Sequence, residues 1–147
     1  MKEVRAMGYR SSYQILVEAP KDKMDAFFKW LKTQEEMCKE LEKKAPIPSS
    51  YGFTVGETYE NIQMSQIDLD IVNADNGLAR AAFEHDYWKC YDPWDLVINQ
   101  IDEYCTDNDI AFAYGRLGES MEDAEFQDND LGLYVGFVRK FVSPFEG

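Results

Sequence analysis

The stretch from Ile110 to Leu133 constrains this chain more than any other. Ile110 to Leu117 has the composition and length of a strand, Gly118 breaks it, and Glu119 to Asp130 reads as an acidic loop. A last strand is expected from Leu133 to Val142, with Val135, Phe137 and Phe141 on one side. Helical sequence precedes the stretch and strand sequence follows it, so a sheet with helical cover lies at the centre of the fold.

The rest of the chain supplies the other layers. Tyr13, Ile15 and Val17 alternate with Ser12, Gln14 and Glu18, which gives a first strand with one buried face. Asp22 is placed to cap a helix in which Met24, Phe27, Phe28 and Leu31 share a face. Its second half, Thr33 to Lys44, is charged all round and reads as exposed, and Pro46 and Pro48 end it. Residues 46–62 read as an irregular loop, with a short strand near Tyr51–Val55.

Ile67, Leu69 and Ile71 alternate with Asp68 and Asp70 as a half-buried strand, and Asn76-Gly77 is a hairpin turn signal. Ala79, Ala81, Phe83 and Tyr87 then form one face of the partner strand. Asp92-Pro93 starts a helix whose apolar stripe is Trp94, Val97, Ile98, Ile101, Tyr104 and Cys105. Strand, helix, hairpin, helix, strand, strand makes residues 1–147 a single α+β domain. The expected form is a two-layer sandwich with a ferredoxin-like core, two helices on one face of a mostly antiparallel sheet, and one added strand.

Charge narrows the partners. The net charge of −13 gathers between residues 92 and 130, where twelve Asp/Glu stand against Arg116 alone. Such a field repels nucleic acid and anionic membranes and attracts basic proteins. No apolar run reaches bilayer length, and Met1 to Arg5 lacks a signal-peptide pattern, so a cytoplasmic protein is expected. Cys38, Cys90 and Cys105 form no C-x-x-C and are expected to be reduced and mostly buried.

Three segments resemble a group of small bacteriophage and prophage proteins. They are Gly8-Tyr9-Arg10-Ser11, Trp88-Lys89-Cys90-Tyr91-Asp92, and Tyr114-Gly115-Arg116-Leu117-Gly118-Glu119 followed by Glu122-Asp123-Ala124-Glu125. Members of that group begin with Gly-Tyr-Arg-Ser-Asp and carry Lys-Trp-Tyr-Asp and Ile-Arg-Ile-Gly-Glu segments. Here Ser12 stands where Asp is usual, Trp88 and Lys89 are reversed, and Gly115 and Leu117 replace isoleucines. The resemblance implies a phage setting and a ferredoxin-like fold, and no known activity.

Catalytic chemistry finds little purchase. His85 is the only histidine, which leaves a catalytic triad or a histidine-rich metal site without its parts. Neither Gly-x-x-x-x-Gly-Lys nor Gly-x-Gly-x-x-Gly occurs, and the acidic loop lacks calcium-loop spacing, so no metal or cofactor is expected. Arg116 reads as an internal ion-pair partner, for instance of Glu119 or Asp92. The expectation is therefore a non-enzymatic phage protein in the host cytoplasm.

Its acidic face (Glu119, Glu122, Asp123, Glu125, Asp128, Asp130) with Trp88 would bind and inhibit a basic, nucleic-acid-binding host protein. A defence nuclease is one such target, with carboxylates taking the place of phosphates. Charge reversal at Glu122, Asp123, Glu125 and Asp128 is expected to abolish binding and spare the fold. The alternatives are an anion- or nucleotide-binding enzyme using Arg10, Arg116 and Glu119, and a structural homodimer built by sheet packing.

Overall fold

Alternation along β1 (Ser11–Pro20) is complete: Tyr13, Ile15, Val17 and Ala19 are buried, and the residues between them are only partly covered. The computed structural model describes residues 11–45, 53–73, 77–88, 93–119 and 122–135, with the backbone alone at 71–73, 87 and 88. Arg10, Asp92 and the residues after Val135 lie outside the described residues.

β1 is the middle strand of the sheet. It runs antiparallel to β3 (Leu78–Trp88) on one side and to β4 (Ala111–Leu117) on the other. β2 (Gln66–Asn73) flanks β3 and β5 (Ala124–Asp128) flanks β4, giving the order β2-β3-β1-β4-β5. Register sets the core: Ile15 lies between Phe83 and Tyr114, and Val17 between Ala81 and Phe112.

Among the described residues, three helices cover this face: α1 (Lys21–Lys44), α2 (Val55–Met64) and α3 (Trp94–Asp107). α1 buries Met24, Phe27 and Leu31, and α3 buries Trp94, Val97, Ile98, Ile101 and Cys105, as their spacing requires. Each fully buried Phe or Ile here contributes roughly 1.5–3 kcal/mol. The molecule is an α+β two-layer sandwich. With α2 and β5 set aside, its β-α-β-β-α-β order, with β1 between β3 and β4, accords with the expected ferredoxin-like core.

The structure departs from the sequence reading in several places. Residues 55–64 are a helix, not loop or strand. Thr54 Oγ1 accepts from Glu57 N at 3.2 Å, and Thr54 N donates to Glu57 Oε2 at 2.9 Å, a reciprocal cap that starts α2. Thr58, Tyr59 and Ile62 are its buried side chains. α1 begins at Lys21 without a side-chain cap, leaving Asp22 in its first turn. Its second half is not solvated all round, because α2 covers Glu35, which accepts from Gln63 at 2.6 Å and pairs with Lys39 at 3.1 Å.

Ile67 and Leu69 lie exposed on the edge strand β2. The acidic loop contains β5, and Leu133 to Val135 are irregular. Those residues lie across the second face of the sheet. Leu133 and Tyr134 border a hollow with Leu16, Arg80 and Ala82, and Val135 rests on Gly115. The rest of the expected last strand lies outside the described residues.

Candidate functional site

Carboxylates dominate the β5 edge of the sheet. α3 carries Asp95, Asp102, Glu103 and Asp107 and no Lys or Arg. Asp109 follows it, and Glu119, Glu122, Asp123, Glu125, Asp128 and Asp130 lie on and around β5. Eleven described carboxylates between residues 93 and 130 face one guanidinium, Arg116.

β5 forms although it is short and only Ala124 and Phe126 in it are apolar, because three sets of contacts hold it. The first is the ladder to β4, closed at its turn by Gly118 N donating to Asp123 O at 2.7 Å. The second is Asn129. Its Oδ1 accepts from Phe112 N at 2.9 Å and its Nδ2 donates to Ile110 O at 2.8 Å, so the side chain continues the pairing past the end of the strand. The third is Gln127, whose Nε2 donates to Asp102 Oδ2 at 2.7 Å and Asn99 Oδ1 at 3.2 Å and so ties β5 to α3.

Arg116 anchors the other end. Its guanidinium is nearly buried, with Nη2 at 2.7 Å from Asp123 Oδ1 and 3.0 Å from Glu125 Oε1. Nη1 donates to Asp123 Oδ2 at 3.2 Å and Ser11 Oγ at 3.1 Å. Burial alone would lower its pKa, but the hydrogen bonds and charges of Asp123 and Glu125 outweigh burial and raise it. This fork reaches from β4 to β1 and β5. Its Asp123 contact is bidentate, and two carboxylates balance its charge, so it is held as a structural ion pair and not as an open anion site.

The candidate residues therefore divide. Glu119, Glu122, Asp128 and Asp130 are exposed, while Asp123 and Glu125 also hold Arg116. Reversing either of those two charges would break the clasp, so the charge reversal expected to spare the fold needs other positions. Trp88 ends β3 opposite Ser11, and its side chain lies outside the described residues, as does Arg10. Asp95, Asn99, Asp102 and Gln127 join the edge without having been singled out in sequence. The alternation of Glu125 and Gln127 with Ala124 and Phe126 was the available signal.

Other reactive side chains are occupied or suppressed. His85 stacks on Tyr13 with ring centroids 6.1 Å apart, and Tyr13 donates to Asn61 Oδ1 at 2.7 Å. Trp94 Nε1 donates to the Tyr114 hydroxyl at 2.7 Å. Burial, with Asp102 adding to it, pushes the Cys105 thiol far up, and burial likewise raises Cys38, away from the thiolate a nucleophile needs.

Among the described residues, no group of three or more His, Cys, Asp and Glu is arranged to hold a metal ion. None of the described helices is long and apolar enough to cross a membrane. No protein-family model, curated protein or solved structure matches the chain.

Proposed function

We propose that this chain is a non-enzymatic binding protein of phage origin that acts in the host cytoplasm. Its α3–β5 edge engages and inhibits a basic, nucleic-acid-binding host or defence protein. The observation that carries the reading is the segregation of charge: among the described residues Asp95, Glu103, Asp107, Asp109, Asp128 and Asp130 are exposed along an edge where Arg116 is already clasped by Asp123 and Glu125 and Lys23 Nζ donates to Asn108 O at 2.9 Å. From Asp95 to Asp107 the helix rises about 18 Å. Within it Asp102, Glu103 and Asp107 follow one another over about one screening length in physiological salt, so neighbouring carboxylates act together on an approaching cationic surface. A surface made to bind phosphates meets on this edge a dense set of oxyanions.

Affinity capture from bacterial lysate tests the proposal. Wild type should retain a basic nucleic-acid-binding protein that duplex DNA displaces. A variant carrying Asp95→Asn, Glu103→Gln, Asp107→Asn, Asp128→Asn and Asp130→Asn, with an unchanged circular-dichroism spectrum, should not. Equal capture by both proteins would count against the proposal.

One observation favours a second reading, a homodimer. Met64, Ile67 and Leu69 are exposed at the opposite edge of the sheet, on and beside β2. Mass measurement in solution decides it, and a monomer at micromolar concentration would dismiss it.

A further inference from the structure

The face of the sheet turned away from the helices is more apolar than a water-facing surface needs to be. Register with β1 puts Leu16, Ala82, Ala111, Ala113 and Leu117 on it, and Ala113 is fully buried. After β5 the backbone takes positive φ at Asp130 (+60°) and Gly132 (+105°), and the next residues cross this face. Leu133 and Tyr134 lie beside Leu16 and Ala82, and Val135 rests on Gly115, an approach that a Cβ at Gly115 would block.

Leu16 pairs with Ala113 and Gln14 with Gly115, so the chain from Leu133 to Val135 advances in the direction of β4, towards Ser12 and Leu117. Ahead of it lies a hollow of about 290 Å³ bordered by Ser12, Gln14, Glu84, Asp86, Leu117 and Phe126. Leu117 is half-buried and Phe126 keeps 47% of its surface exposed, so the floor of the hollow is apolar and open. Its β3 rim is negative. Glu84 and Asp86 are exposed there, and Arg80, on the same face, is paired with Glu18.

The sequence after Val135 complements both properties. Residues 136–142 contain Phe137, Val138, Phe141 and Val142 together with Arg139 and Lys140, the only bases beyond Arg116. We propose that residues 136–142 occupy this hollow and cover the second face of the sheet. An extended chain repeats its facing every second residue at about 3.3 Å per residue. Phe137 therefore follows Val135 onto the sheet, one Cα pair further on, where Leu117 follows Gly115. Arg139 comes within reach of Asp86 at the rim. Seated this way, Arg139 meets the carboxylates of β3 and leaves those of the α3–β5 edge uncompensated.

Photo-cross-linking of the full chain tests the seat. With p-benzoylphenylalanine in place of Phe137, irradiation and peptide mass mapping should join residue 137 to Leu117, Phe126 or their neighbours at the mass of a monomer. Asp86→Lys, at an exposed position, should lower that yield about twofold or more, the weight of a surface ion pair, and adding Arg139→Asp should restore it. Cross-links at the mass of a dimer would give the hollow to a second copy of the chain, and cross-links elsewhere, or none, would leave it without this segment. Either result overturns the proposal, as does a yield that Asp86→Lys does not lower.

Discussion

Arg116→Ala is the most informative single change to the edge. The guanidinium is nearly buried and makes four polar contacts of 2.7–3.2 Å to Asp123, Glu125 and Ser11. Removing one partner of a fully buried ion pair costs about 3–5 kcal/mol, because the other charge is left uncompensated. Here the Asp123 and Glu125 side chains are 29% and 50% exposed, so water takes up part of that cost. Discounting for this leaves about 2–4 kcal/mol. In a domain of this size each kcal/mol moves Tm by about 3–4 °C, so the expected fall is roughly 6–16 °C.

Thermal unfolding followed by circular dichroism reads the total, and amide hydrogen exchange reads its location. Protection of Glu125 to Asp128 should collapse while that of β1 and β3 persists. A Tm within about 1 °C of wild type, or a loss of protection spread evenly over the sheet, would refute the claim that the clasp holds β5 in place.

Further changes probe the rest of the fold. A Cβ added at Gly115 would lie 2.5 Å from Val135 Cγ1 and 3.2 Å from the Phe126 ring. Gly115→Ala should therefore lower the urea midpoint by the equivalent of about 1–3 kcal/mol. Thr54→Ala removes the α2 cap and should cost about 1 kcal/mol by the same measurement, with Thr54→Ser restoring most of it. Alkaline pH should destabilise the protein. Burial raises Cys105 and Tyr59 in the folded state, so above the ordinary thiol value of about 8.5 the unfolded chain loses protons that the folded chain keeps. Stability should then fall by up to about 1.4 kcal/mol per pH unit for each group, and Cys105→Ala should flatten the first part of that slope.

Local pattern carried the sheet's centre and the two long helices. The Trp94-to-Cys105 stripe and the β1 alternation name the residues that are buried, and Gly77, with its φ of +64°, occupies the expected hairpin turn. The elements that escaped depend on distant partners. α2 is short and opens on Gly56, whose missing side chain lets α1 approach: an added Cβ would fall 2.7 Å from Lys39 Cγ. Only the Thr54–Glu57 cap marked it in sequence.

β5 reads as loop because it is short and Ala124 and Phe126 are its only apolar residues. It becomes a strand through Arg116, Asn129 and the α3 contact of Gln127, none of which periodicity reveals. The acidic character of the site was legible from counts alone. Which carboxylates are spent on Arg116 and which face solvent required the fold.

The claim that the α3–β5 edge binds through its oxyanions is tested most directly by the association rate of the captured partner across ionic strength. Between about 50 and 500 mM salt the rate should fall by more than about tenfold, and neutralising Asp95, Glu103, Asp107, Asp128 and Asp130 should flatten that dependence. A rate that holds constant over the same range, and that the neutralised variant shares, would contradict it.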